Sequence, residues 1–194
     1  ARLTSEARVL ETIAGPELTV IRSSGYRQHD IYWSFDDPDQ GRLRYRDDEF
    51  LGEDGTVTGE RSRLTLTGRT REDRFGAVLL FRSRYLAPAA HSARFYREYF
   101  RPAAEHVVTK ERRRWLVAYR GVEFYVHLDR LIAPAVGGYF LEIKSRTWSQ
   151  RDARDKAAVI SELLALFDAA PDETLGEGYV ELTAGGPKGG LSPL

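Results

Sequence analysis

The chain has 194 residues and contains neither cysteine nor methionine. Without cysteine it can form no disulfide framework and no thiolate metal site, a composition typical of a cytoplasmic protein. No apolar run is long enough for a transmembrane helix or a signal peptide, so we expect no membrane partner. Because the first residue is alanine, we expect an upstream segment that belongs to a larger chain.

The chain also lacks a net charge, since 29 Lys and Arg balance 29 Asp and Glu. A neutral chain argues against binding to double-stranded nucleic acid through overall charge. Only four of the cations are lysines, and the other 25 are arginines. The planar guanidinium suits phosphate and carboxylate groups. A GC-rich genome would produce the same bias, so composition alone does not choose between these explanations.

Residues 137–146 predict a strand whose two faces differ. Tyr139, Leu141 and Ile143 alternate with Phe140, Glu142, Lys144 and Arg146. Since successive side chains of a strand point to opposite faces, the first set can enter a core and the second forms a polar row. A carboxylate beside two cations therefore lies on one face of this strand.

Several other segments repeat such rows of cations at a spacing of two. We expect them all on one face of a sheet: Arg42, Arg44 and Arg46; Arg61 and Arg63; Arg82 and Arg84; Lys110, Arg112 and Arg114. Another row contains Glu123, Tyr125, His127 and Asp129. A sheet curled with these rows inward would make a basic tunnel for a polyanion. Alternatively, the rows face solvent or pair with acidic residues, and the domain is purely structural.

The remaining periodicity predicts helices at 4–14, at 91–100 and after Ser149. It also predicts strands at 18–22 and 26–35 with a turn at 23–25 between them. A polar loop follows at 68–75, then strands at 77–86, 107–119 and 122–130 and a last one at 178–183. We expect one domain over residues 1–184 and a flexible Gly/Pro tail over 185–194.

The order of these segments resembles the CYTH domain of the triphosphate tunnel metalloenzymes. The resemblance covers roughly residues 4 to 168 and rests on five pieces in sequence. They are Gln28-His29-Asp30-Ile31-Tyr32, Arg42-Leu43-Arg44-Tyr45-Arg46, Lys110-Glu111-Arg112-Arg113-Arg114, His127-Leu128-Asp129-Arg130 and Gly138-Tyr139-Phe140-Leu141-Glu142-Ile143, the last followed by a helix.

The resemblance implies an α+β fold with an antiparallel, eight-stranded, tunnel-like β-barrel flanked by helices. It implies Mg²⁺ or Mn²⁺ held by Glu142 and Asp129, and a triphosphate-containing ligand. The cations expected to bind that ligand are Arg42, Arg44, Arg46, Arg61, Arg63, Arg82, Arg84, Lys110, Arg112, Arg114, Lys144 and Arg146.

Two departures from the family pattern bear on catalysis. No acidic first strand is visible before the first helix, and Lys144 stands where the late strand often carries a second glutamate. We therefore expect metal-dependent binding of triphosphate or a nucleoside triphosphate, with hydrolysis favoured over an adenylate cyclase activity. The alternative is a non-catalytic module that senses a nucleotide or polyphosphate, as part of a larger chain or a homo-oligomer. The sequence assigns no catalytic residue.

Overall fold

The computed structural model describes residues 1–67, 73–75, 78–80, 84–169 and 178–183. The strands in these ranges are β1 Arg2–Leu3, β2 Thr19–Ser34, β3 Arg42–Leu51, β4 Val57–Thr67, β5 Asp73–Phe75, β6 Val78–Leu80, β7 Arg84–Pro88, β8 Ala104–Tyr119, β9 Val122–Ala133 and β10 Val136–Lys144. The helices are α1 Ala7–Ala14, α2 Ala93–Phe100, α3 Gln150–Leu166 and α4 Tyr179–Thr183, with a 3-10 turn at Pro38–Gln40.

Eight strands form one antiparallel sheet in the order β1-β10-β9-β8-β2-β3-β4-β7, and β5 and β6 form a separate hairpin. The expected α+β class, the eight antiparallel strands and the flanking helices are confirmed. Within the described ranges the sheet does not close, because β1 and β7 are its two edges. It is nevertheless strongly curved, since Leu86 of β7 and Lys144 of β10 line one cavity.

Two apolar clusters of the strands pack on the convex face, beneath helices α1, α2 and α3. In one half of the sheet, Phe124 and Val126 of β9 pack with Leu163 of α3, and all three are fully buried. In the other half, Trp33 and Tyr45 pack with Tyr96 of α2. Burial of these faces drives the polar rows onto the concave face, as the alternation predicts.

The helix predictions are confirmed, including the start of α3. The Ser149 side chain caps this helix by accepting a hydrogen bond from the Asp152 backbone N–H at 3.1 Å. No helix in the described part of the chain is both long and apolar enough to cross a membrane.

Two predictions are wrong. The expected turn at 23–25 does not exist, because β2 runs unbroken from Thr19 to Ser34 and pairs with β3 and β8 on its two sides. Pairing of all three residues with β8, joined by β3 from Gly25 onward, outweighs the turn preference of Ser-Ser-Gly. The expected last strand is helix α4.

The other predicted elements differ less from the structure. The two-residue strand β1 was not predicted, and β5 occupies the end of the expected polar loop. The expected strand at 77–86 contains β6 and the start of β7, and residues 81–83 between them lie outside the described ranges. The predicted tail at 185–194 also lies outside them.

Gly138 fixes the contact between β1 and β10. Its φ is +86°, and a Cβ placed there would lie 2.5 Å from the Leu3 carbonyl oxygen. The pairing of β10 with β9 shifts register between Val136 and Phe140, around this glycine. Glycine is needed here because an L side chain would meet both backbone strain and a backbone oxygen.

We expect Gly138→Ala to lower the free energy of unfolding by roughly 1–3 kcal/mol because of this strain. Gly137→Ala is the matched control, since no atom lies within 4 Å of a Cβ there. It should change stability by no more than about 0.5 kcal/mol. Urea denaturation of the three proteins checks this, and equal effects of the two substitutions would contradict it.

Candidate functional site

The concave face holds a cavity of about 130 Å³. Its walls come from seven strands, and most of the lining side chains are cationic. The cations are Arg44 and Arg46 of β3, Arg61 and Arg63 of β4, Arg112 and Arg114 of β8, and Lys144 of β10. The structure thus brings seven of the twelve predicted ligand-binding cations to one place.

The other five predicted cations lie elsewhere or are not described. Lys110 is buried next to the cavity without lining it, and Arg42 pairs at 2.7 Å with Glu181 of α4. Arg146 is exposed beyond the end of β10. Arg82 lies outside the described ranges, and only the backbone of Arg84 is described, opposite Thr67 of β4.

Asp30 of β2 neutralises the cations at the inner end of the cavity. Its carboxylate accepts two hydrogen bonds from Arg46, at 2.5 and 2.6 Å, and one from Lys110 at 3.0 Å. Burial works to raise the pKa of Asp30, but the charges of Lys110, Arg46 and Arg44 outweigh it and hold that pKa below its usual range. Burial lowers the pKa of Lys110 to about 7, against the opposing effect of Asp30.

Asp48 of β3 neutralises the cations of β4 in the same way. It accepts hydrogen bonds from Arg61 at 2.9 Å, from Arg63 at 2.6 Å and from the Gln28 amide at 2.6 Å. One buried carboxylate therefore serves two guanidinium groups. Neither Asp48 nor Asp30 was among the predicted site residues, although Asp48 continues the spacing of Arg42, Arg44 and Arg46 by one step.

The two predicted metal ligands have different surroundings. Asp129 is fully buried and holds Arg112 through two hydrogen bonds, at 2.6 and 2.5 Å, while Tyr179 donates to it at 2.5 Å. Glu142 is 40% exposed and pairs with Lys144 at 2.8 Å and with Arg112 at 3.3 Å. Both oxygens of Asp129 are thus already occupied, whereas Glu142 is accessible at the open end.

His127 lies beside Glu142 and lines the cavity. Its Nδ1 is 3.1 Å from a Glu142 oxygen, and this contact places the imidazole proton on Nδ1 when the ring is neutral. Burial and the charge of Arg112 lower the pKa of His127 to about 4, so the ring is neutral at pH 7. No three His, Asp or Glu side chains within the described ranges gather as metal ligands would.

Arg114 differs from the other cations of the cavity. Its guanidinium lies over the rings of Tyr26 and Tyr125, 4.8 and 5.7 Å from their centroids, and its Nε donates to Ser24 at 3.2 Å. Among the described residues no carboxylate lies within ion-pairing distance of it. The aromatic rings therefore position a positive charge that no neighbouring carboxylate neutralises.

The charges around the cavity do not balance. In the described part of the site, seven lining cations face the four carboxylates of Asp30, Asp48, Asp129 and Glu142. Cationic groups thus outnumber carboxylates among the described residues, in a concave, largely desolvated setting where Coulomb interactions are strong. Such a site attracts a compact anion that carries several charges.

Comparisons with known proteins support the fold and nothing beyond it. The chain is similar to the PH1819 protein of Pyrococcus horikoshii OT3, with a TM-score of 0.66 and 14% identity over 93% of this chain and 94% of that one. It is also similar to the conserved hypothetical protein Pfu-838710-001 of Pyrococcus furiosus, with a TM-score of 0.59 and 16% identity over 93% and 96% of the two chains.

The PH1012 protein of Pyrococcus horikoshii OT3 gives the same TM-score, 0.59, with 16% identity over 93% of this chain and 95% of that one. No protein-family model and no curated protein matches the sequence. The likeness to the three solved structures shows a shared fold over nearly the full length of each chain.

We expect Asp30→Asn to lower the free energy of unfolding by about 3–5 kcal/mol, because it leaves buried cations without their counter-charge. The control is Glu49→Gln, which removes the exposed pair of Glu49 with Arg27 between the same two strands. That change should cost less than about 1 kcal/mol. Urea denaturation at pH 7 gives both values, and a cost below 1 kcal/mol for Asp30→Asn would contradict the expectation.

The difference in free energy of unfolding between the wild type and Asp30→Asn should also depend on pH. The folded-state pKa of Asp30 is depressed, so its stabilisation is complete above the unfolded pKa of about 4 and is lost as the pH falls further. The difference between wild type and Asp30→Asn should therefore shrink below about pH 4. A difference that grows on acidification would show that another group is responsible.

Proposed function

We propose that this protein binds triphosphate or a nucleoside triphosphate in the concave cavity, as a CYTH-type triphosphate tunnel protein would. The observation that supports this most is that, among the described residues, cationic side chains outnumber carboxylates around one cavity. A triphosphate chain carries several negative charges on oxygens that guanidinium groups bind in pairs. A single phosphate or carboxylate would leave most of this charge uncompensated.

The proposal also includes a divalent metal ion. Asp129 does not fit as a ligand, because Arg112 and Tyr179 occupy its oxygens. Glu142 fits as a single protein ligand, and Mg²⁺ is commonly held by one or two carboxylates together with substrate phosphates. When bound, Mg²⁺ or Mn²⁺ would neutralise charge that develops during hydrolysis of the phosphate chain.

The cations of the chain itself would bind and orient the ligand. Arg44, Arg63 and Arg112 would hold phosphate oxygens and orient the chain along the cavity. Arg114 and Lys144, nearer the solvent, would stabilise negative charge further along it. His127, neutral and oriented by Glu142, faces the same cavity, where its other ring nitrogen can accept a hydrogen bond from water.

A non-catalytic sensing role is the second candidate. It is favoured by the salt bridges of Glu142 and Asp129 and by the lack of three clustered metal-binding side chains within the described ranges. Phosphate release from triphosphate in the presence of Mg²⁺ or Mn²⁺ separates the two candidates. Release supports a phosphohydrolase, whereas binding without release supports a sensor.

We expect Arg114→Gln to weaken triphosphate binding roughly 10- to 100-fold, since a hydrogen bond to a charged group contributes about 1.5–3 kcal/mol. The adjacent Arg113 is the matched control, because it points to the other face and pairs with Glu6 at 3.3 Å. Isothermal titration calorimetry at low salt measures both variants. Equal affinities for Arg114→Gln and Arg113→Gln would contradict the assigned site, and added salt should weaken binding to the wild type.

Glu142→Gln tests the metal-binding part. If Glu142 is a ligand, Mn²⁺ should strengthen triphosphate binding to the wild type but not to the variant. Without metal the variant should bind triphosphate as well or better, because a carboxylate that repels phosphate is gone. Glu123→Gln, an exposed carboxylate on β9, is the control. Equal enhancement by Mn²⁺ in all three proteins would show that Glu142 is not a ligand.

A further inference from the structure

The outward face of α2 carries an aromatic row that is exposed to solvent. Tyr96 points inward and contacts the ring of Tyr45 in the apolar cluster beneath the helix, whereas Phe95 and Tyr99 remain 46% and 73% exposed. The rings of Phe95 and Tyr99 lie nearly parallel, with centroids 6.2 Å apart and 9° between their planes. Because about one helical turn separates these two residues, they form a single row along α2.

A charged row runs beside the aromatic one with the same spacing. Arg94 and Glu98 form an exposed ion pair at 2.8 Å, again one helical turn apart. The outward face of α2 therefore consists of a cation and an anion in one row and two aromatic rings in the other. Its four side chains contribute no net charge.

The convex face carries further exposed apolar surface at the edge of the sheet. Trp33, Leu43, Leu66 and Tyr85 lie directly opposite one another across β2, β3, β4 and β7. The first two are buried in the cluster beneath α2, whereas Leu66 and Tyr85 are 38% and 66% exposed. This apolar row thus continues from the core to the edge strand.

The exposed apolar area is large enough for an interface. Phe95, Tyr99, Leu66 and Tyr85 together present roughly 400 Å², taking about 200 Å² for each large apolar side chain. Patches of about 300–600 Å² on a protein surface often serve an interaction. Two such patches with their polar surroundings would bury on the order of 1,000 Å² in total, which suffices for a weak specific interface.

The two rows of α2 are complementary to themselves. A two-fold axis perpendicular to the helix places a second α2 antiparallel against the first, and each of the four residues then faces one four positions away in the other copy. Arg94 faces Glu98 of the second copy, and Phe95 faces its Tyr99. One axis brings both rows together because they have the same spacing and are offset by a single residue.

Charge favours a second copy over an anionic partner. The chain has no net charge, so two copies do not repel each other over long distances. A nucleic acid or an acidic peptide would need unneutralised cations along this helix. Arg94 pairs instead with Glu98, and Arg97 pairs with Glu105 at 2.7 Å.

We infer that this protein associates with a second copy of itself through the outward face of α2, antiparallel about a two-fold axis. The helix lies on the convex face of the sheet and the cavity on the concave face. The inference therefore does not depend on the proposed function, and neither cavity takes part in the interface.

The first experiment is sedimentation equilibrium of the full chain over a series of protein concentrations. We expect a monomer–dimer equilibrium with a dissociation constant on the order of 10–100 µM, because the interface is small. A protein that stays monomeric at about 1 mM would overturn the inference and leave this face to a different partner.

Charge reversal tests the arrangement of the two helices. Arg94→Glu and Glu98→Arg each place like charges opposite one another and should weaken self-association at least tenfold. An equimolar mixture of the two variants should associate within about threefold of the wild type, because every facing pair is then opposite in charge. A variant that had lost its fold could not recover in this way.

The control is Arg8→Glu, which removes an exposed ion pair of α1 with Glu11 and should leave self-association unchanged. Single reversals in α2 that associate like the wild type would overturn the inference. So would a mixture that associates no more tightly than either variant alone.

Variants at Tyr99 test the aromatic row. Tyr99→Phe keeps the ring and should associate within about threefold of the wild type, whereas Tyr99→Ala should weaken association at least tenfold. Both variants should bind triphosphate like the wild type, since Tyr99 lies on the face opposite the cavity. A dimer that tolerates Tyr99→Ala would use another surface, and the inference would be wrong.

Discussion

Asp30 lies without any exposed surface between the guanidinium of Arg46 and the ammonium of Lys110. Three strands, β2, β3 and β8, meet at this carboxylate. Buried cations on neighbouring strands would repel one another without it, and the concave face could not be packed so tightly. The polar interior of this protein therefore depends on a charge that the sheet holds at its centre.

The carboxylates neutralise the cations unevenly along the cavity, and this difference distinguishes its two ends. Towards α4, the carboxylates of Asp30 and Asp129 lie against the cations that surround them. Towards the open end, Arg61 and Arg63 share Asp48, and Arg114 lies on tyrosine rings with no carboxylate of the described ranges nearby. An anion that enters from solvent thus meets unneutralised positive charge first, and neutralised charge only at the inner end.

The same distribution of charge suits the binding of an anion more than the binding of a metal. Most of the carboxylates that a metal would need are engaged as counter-charges to arginine, and a carboxylate cannot fully serve both. Glu142 is the most accessible of them, because it is partly exposed and one of its two cationic partners, Lys144, lies at the open end. Hydrolysis therefore depends on whether one protein carboxylate and the phosphates of the ligand suffice to hold a metal.

Several features follow from local chemistry and were predictable. The alternation along β3, β8 and β10 assigns Arg44, Arg112 and Lys144 to one face because strand side chains have a period of two. The cap of α3 follows from Ser149 and Asp152 in the same local way. Helix α4 was predicted as a strand because five residues are too few to separate a period of two from one of 3.6.

What the sequence determined by itself is which side chains share a face: the cationic rows, the apolar rows and the helices that cover them. Only the tertiary structure decided which cations remain available. Strand register places Asp30 beside Arg46 and Lys110, and Asp129 beside Arg112, whereas the residues directly opposite Arg114 are Ser24 and His127. Register and curvature are set by packing across distant segments, so the pairing of charges, and with it the site, cannot be derived from the spacing of residues along one strand.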